Sequence, residues 1–116
     1  MQMDNLFVKI CHVSELTESE GKNFEIDDET EIALFKVKGK IFAVDNVCPH
    51  NHIPIISRGL IDRNYVSCPV HGFKFHLQTG KQPGRAGCTL RTFEVKISEE
   101  EVYVKKPNKK IFNFDF

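Results

Sequence analysis

The chain has 116 residues, ten of them Phe and none Trp, with 16 basic and 16 acidic side chains and no net charge. That length supports one domain with a modest core. A neutral pI without a dense basic run argues against nucleic-acid binding, and no run approaches the ~18 apolar residues of a membrane-spanning helix.

In chain order, Met1-Gln2-Met3-Asp4-Asn5 has no basic region followed by an apolar run, so no signal peptide is expected. Leu6 to Cys11 is rich in strand formers and predicts a first strand. Ser14 to Asn23 is polar and contains Gly21, which predicts a loop or one helical turn. Glu31–Val37 and Lys40–Val44 are apolar runs joined by Lys38-Gly39, the signal of a tight hairpin. Asn64–Ser67 predicts a short strand, and Phe73 and Phe75 alternate with Lys74 and His76 as a half-buried strand does. Gln78–Lys81 predicts a turn, and the stretch from Gln82 to Gly87 a loop. Thr92–Ile97 alternates as one strand, with Glu101–Val104 returning across Ser98-Glu99-Glu100. No long helical period and no repeat is present. Short strands with frequent turns predict an all-β sandwich or small barrel.

Two segments carry chemistry. Cys48-Pro49-His50 and Cys68-Pro69-Val70-His71 each pair a thiolate with an imidazole, with 17 residues between His50 and Cys68. Thiolate plus imidazole suits an iron–sulfur centre or tetrahedral zinc. Four cysteines without an export signal point to a reducing compartment, expected to be the cytoplasm, and to metal rather than disulfides. Cys11 and Cys88 read as small, partly buried hydrophobes.

The pattern Cys-x-His, a gap in the high teens, then Cys-x-x-His resembles the Rieske 2Fe-2S family. Cys68-Pro69-Val70-His71-Gly72-Phe73, then Phe75 and Thr79-Gly80, extends the resemblance, which runs from about Leu6 to Lys105. It implies a Rieske-type fold: an antiparallel sandwich or barrel base interrupted by a small cluster-binding subdomain at about 46–86. The domain would occupy 1–106, with a Phe-rich tail at 107–116. It implies one 2Fe-2S cluster per chain, with Cys48 and Cys68 on one iron and His50 and His71 on the other. Pro49 would stiffen the turn after the first thiolate, Gly72 would admit close backbone approach, and Pro83-Gly84 would cover the cluster.

The family's high-potential members carry a Ser hydroxyl just after the second His-Gly and a nearby Tyr hydroxyl. Here Phe73 and Lys74 follow Gly72, so the low end of the Rieske range, toward about −150 mV, is expected. The membrane-complex members also clamp their loops with a disulfide, and the matching positions here are Ile53 and Val70. His52 stands where the first loop commonly has Gly, and His76 where Asp is common. His52 is either a contact beside the cluster or a plain surface residue.

The implied function is a soluble one-electron carrier, not an enzyme, taking electrons from a reductase and passing them to an oxygenase or similar enzyme. The runner-up is a subunit like the small subunit of assimilatory nitrite reductase, which Gly87, Leu90-Arg91 and Phe93 resemble. A structural zinc module is a third reading. No membrane or nucleic-acid partner is implied. An oxygenase centre of its own would need two more His and a carboxylate, and only His76 follows the motif.

Charge is uneven. Asn46 to Arg91 holds six bases (Arg58, Arg63, Lys74, Lys81, Arg85, Arg91) and one acid, Asp62, whereas Glu15 to Glu31 holds eight acids and one base. Five of those bases, all but Lys81, are expected to ring the cluster and steer an acidic partner. In the tail, Phe112, Phe114 and Phe116 alternate with Asn113 and Asp115, so an extended segment would put three rings on one face. They would cover the chain's own base or pair with a second copy or partner, which leaves the oligomeric state open.

Overall fold

The computed structural model describes residues 6–70, 72–84 and 87–107. Among the described residues, ten strands form three antiparallel sheets. β1 (Phe7–His12), β10 (Glu101–Lys105) and β9 (Val95–Ser98) form the first, in the order β1-β10-β9. β2 (Gly21–Asp27), β3 (Thr30–Val37), β4 (Lys40–Asp45) and β8 (Thr92–Phe93) form the second in that order. β5 (Leu60–Asp62), β6 (Tyr65–Ser67) and β7 (Lys74–His76) form the third. No α-helix is present among the described residues, and the fold is all-β as its turn-rich sequence predicts.

β3 explains the layering. Its side chains alternate between two cores, so a strand apolar on both faces reads as an unbroken run. Ile32 and Leu34 pack with Cys11, Leu16, Ala43, Val102 and Val104 between the first two sheets. Ala33, Phe35 and Val37 face Cys48, Ile56, Val66, Cys68, Phe75 and Leu77 on the other side. The second core therefore joins the base to the third sheet and to both cysteines of the paired motif.

Three local features follow from backbone chemistry. Lys38 and Gly39 both adopt positive φ (52° and 79°), the twist that a two-residue hairpin demands. Val13–Glu15 is a 3-10 turn capped by His12, whose Nδ1 accepts from the Ser14 N–H while Glu15 accepts from the His12 N–H. Gly80 closes the loop between β7 and β8: its carbonyl accepts from Leu90 N–H at 2.8 Å. A Cβ at Gly80 would lie 1.8 Å from the Leu90 carbonyl oxygen, on a backbone already at φ +76°.

The structure corrects two expectations. Gly21 to Asn23, read as loop, begin strand β2. This edge strand is half-buried at best and mostly polar, and only Phe24 and Ile26 pack against the core, so it gives a weak alternating signal. Thr92–Ile97, read as one strand, is two. Thr92 and Phe93 pair with β4, whereas Val95–Ser98 pairs with β10. The chain changes sheets at Glu94, whose carbonyl accepts from Lys105 N–H at 2.9 Å. The expected Phe-rich stripe at Phe112, Phe114 and Phe116 lies outside the described residues.

Candidate metal centre

β4 delivers the first cysteine loop. Asn46, 1% exposed, fixes its base: the side-chain Oδ1 accepts from Ser57 N–H (2.7 Å) and Nδ2 donates to Glu31 (3.0 Å). Its backbone N–H and carbonyl also bond, to Glu31 O and from Ile56 N. The sequence pattern does not single out Asn46, because one Asn before a Cys carries no signal until its distant partners are known. β6 delivers the second loop through Ser67, and β7 takes the chain away.

The two loops share one hydrogen-bonded frame. Cys48 N–H donates to Ile53 O (2.9 Å) and His52 N–H returns to Cys48 O (2.7 Å). Cys68 N–H donates to Phe73 O (2.8 Å) and Gly72 N–H returns to Cys68 O (2.8 Å). Each frame turns on a residue at positive φ: His52 at 58° and Gly72 at 76°. His52 thus occupies the place of a glycine, is exposed, and bears the conformational cost of that place.

A matched pair of variants tests this geometry. His52→Gly is expected to raise stability by about 0.5 kcal/mol, since relief of the left-handed penalty exceeds the added unfolded-chain entropy. A Cβ at Gly72 meets nothing within 4 Å, so Gly72→Ala is expected to cost about 1 kcal/mol through backbone conformation alone. Urea unfolding measures both, and destabilisation by His52→Gly would contradict the shared frame.

Both thiols are buried, and they interact with each other. Burial pushes the Cys48 thiol up, the backbone N–H groups of Asn51 and His50 pull it down, and the Cys68 thiol beside it pushes it up. The Cys48 thiol, buried beside a second thiol, is poorly placed to ionise without a cation next to it. The N–H groups aimed at Cys48 Sγ suit a thiolate carrying negative charge. The donor set therefore fits a thiolate-bound metal centre, a 2Fe-2S cluster included.

The remaining site residues divide as follows. His50 is exposed, and its ring stands 4.2 Å from that of Phe73, tilted by 43°. This contact joins the two loops and fills the position where a Ser would otherwise stand. Pro49 is half-buried, and Pro83 and Gly84 are exposed, Gly84 at φ +74°. His71 lies outside the described residues. Ile53 and Val70 are both partly exposed (41% and 40%), so packing and hydrogen bonds hold these loops without a disulfide between those positions. His76 Nδ1 accepts from Gln78 N–H (3.1 Å), which is how an Asp there would cap the turn.

Residues 6–105 match the Rieske-like 2Fe-2S domain family. The chain belongs to that family. Among its relatives is the 3-phenylpropionate/cinnamic acid dioxygenase ferredoxin subunit of Photorhabdus laumondii, 36% identical over 107 residues that cover 88% of this chain and 94% of the relative. The Rieske-like fold is shared with the solved complex of reduced oxygenase and oxidized ferredoxin in carbazole 1,9a-dioxygenase. That match has a TM-score of 0.76 at 28% identity and covers 84% of this chain and 99% of the matched one. It is shared too with a putative NADH-dependent nitrite reductase small subunit from Mycobacterium tuberculosis (TM-score 0.80, 24% identity, 88% and 96% covered). The cofactor of a Rieske-like domain is a 2Fe-2S cluster, and no helix among the described residues is long and apolar enough to cross a membrane.

Proposed function

We propose that this chain is a one-electron carrier that links a reductase to an oxygenase or similar enzyme. Cys48, His50, Cys68 and His71 are the ligands in this reading, and Pro83-Gly84 covers the centre. The observation that carries it is the pair of matched loops, which place two thiols side by side in the core while His50 stays at the surface. When bound, the cluster supplies one reversible electron, at a potential raised above that of all-thiolate clusters by its neutral imidazoles. The protein's own residues do the rest. Backbone N–H groups of His50 and Asn51 hold the Cys48 sulfur. Phe73 orients the His50 ring and shields one face of it from water. The exposed imidazole edge gives an electron a short path to a docked partner. The four free cysteines suit a reducing compartment, and we place the protein in the cytoplasm.

Anaerobic absorbance and pulsed electron paramagnetic resonance of the dithionite-reduced protein test this reading. The expected result is one 2Fe-2S centre per chain with couplings to two imidazole nitrogens. A colourless protein that binds zinc would overturn it. Stable co-purification with a large flavin or haem subunit would move it to the role of an enzyme's small subunit.

Charge around the loops supports docking of an acidic partner. Arg58 lines a surface groove with Ile53 and Pro54, and Lys74 follows the second loop, 3.6 Å from Asp62. Arg63 is exposed in the β5–β6 turn. Arg91 is held against Asp45 (3.4 Å) and over the Phe93 ring in the base, and Arg85 lies outside the described residues. The double variant Arg58→Glu/Lys74→Glu is expected to slow oxidation of the reduced protein by hexacyanoferrate(III) several-fold at low salt. The difference should fade as the Debye length falls from about 30 Å at 0.01 M to about 3 Å at 1 M. Equal rates at both salt concentrations would remove steering.

A further inference from the structure

Among the described residues, one buried side-chain polar atom has no hydrogen-bond partner: Nδ2 of Asn51. Native proteins rarely leave a buried donor unpaired, since it forfeits its hydration for nothing. An orphan of this kind points to an acceptor beyond the described protein groups. The amide orientation is set by its other end, because Oδ1 accepts from Ile53 N–H at 3.3 Å. Exchanging the two ends would set an N–H against an N–H, so Nδ2 is the free donor.

The position of Asn51 says which acceptor it meets. Asn51 lies within the frame that Cys48 and Ile53 close, and its backbone N–H already points at Cys48 Sγ. In the second loop's frame, the place three residues after the cysteine belongs to His71. The side chain at this place in the first loop therefore corresponds to a proposed ligand in the second. No carboxylate or other anionic side chain occurs anywhere in either loop, 48–53 or 68–73. The carbonyls that close the two frames, those of Cys48, Ile53, Cys68 and Phe73, already accept backbone N–H groups, and sulfur is the other acceptor that the loops bring together around the buried Nδ2.

We infer that the Asn51 side-chain amide donates a hydrogen bond to a sulfur of the cluster unit, and that Asn51 is thereby a residue that sets the reduction potential. This rests on the reading of the chain as a Rieske carrier. A donor at sulfur stabilises the reduced, more negative state more than the oxidised one. Asn51 thus does part of what the family's Ser and Tyr hydroxyls do, from a residue in the opposite loop to Phe73. It is not a hydroxyl and does not follow Gly72, so the family's pattern of sulfur donors does not mark it.

The test is the midpoint potential of the holoprotein, titrated anaerobically with redox mediators, for wild type, Asn51→Ala and Asn51→Asp. Asn51→Ala removes the donor and is expected to weaken reduction about tenfold, which is ~59 mV for a one-electron couple. Asn51→Asp keeps the Oδ1 contact to Ile53 N–H but replaces the donor with a negative charge, and is expected to lower the potential further. Asn51→Gln, which retains the amide, should recover part of the loss. Urea midpoints of the same proteins separate a structural role, which would change stability and leave the potential alone. Unchanged potentials in Asn51→Ala and Asn51→Asp, with intact wild-type-like cluster spectra, would overturn the inference. A wild type that holds no cluster would instead overturn the carrier reading.

Discussion

Cys48→Ser and Cys68→Ser proteins are expected to fold but to hold no Rieske centre, as is His71→Ala. A Ser hydroxyl is a harder, far less acidic donor than a thiol and does not replace a thiolate on iron at neutral pH. In the proposed ligand set, loss of either thiolate would leave one iron short of a ligand, and loss of an imidazole would do the same at the other. Iron and acid-labile sulfide content should fall to background, with the visible absorbance. Cys11→Ser and Cys88→Ser are the controls. Cys11 sits in the base core, where its thiol is pushed up to about 11 chiefly by burial, so it stays protonated and inert at neutral pH. Cys88 is half-buried and packs against the second core. Both variants should keep one cluster per chain, at some loss of stability from a hydroxyl in an apolar site. A cluster that survives His71→Ala with an unchanged spectrum would refute the proposed ligand set.

Phe75→Ala is expected to cost about 3–5 kcal/mol, because it removes a fully buried ring from the core that contains both cysteines. Domains of this size have only about 5–15 kcal/mol in total, so the loss is a large fraction. Phe75 is central to the third sheet's contact: it pairs with Val66 across β6–β7 and shares a cluster with Phe35, Ile56 and Leu77. The cavity would open directly behind the loops, so the cluster should be lost at a lower urea concentration than in wild type. Leu60→Ala provides the contrast. Leu60 is as apolar, but it is 76% exposed and should change stability by less than about 0.5 kcal/mol. Equal urea midpoints for Phe75→Ala and wild type would contradict the packing described.

The cysteine loops are legible in the sequence because their chemistry is local. A thiolate and an imidazole two or three residues apart, with a proline after the cysteine, are reason to propose a metal-binding turn from residue types alone. The hairpin at Lys38-Gly39 is legible for a similar reason, since a tight turn is set by the backbone freedom of its own two residues. The pattern also puts His52 in a glycine's place, and its φ of 58° agrees.

The rest depends on partners far away in the chain. β2 is a strand because β3 offers it an edge to pair with, and its own exposed, acidic residues carry little strand signal. Thr92–Ile97 alternates evenly, yet it divides at Glu94 because β4 claims one half and β10 the other. Asn46 matters through Glu31 and Ser57, 15 and 11 residues away. Asn51 reads as an ordinary polar residue until folding buries its Nδ2 and no acceptor among the described residues meets it. The fold class follows from periodicity, and the proposed place for a metal from ligand chemistry; both act over a few residues and so are written in the chain. Which polar groups are anchored, and which is left with an unmet bond, follows from three-dimensional packing, because desolvation is a property of what the whole chain places around a group.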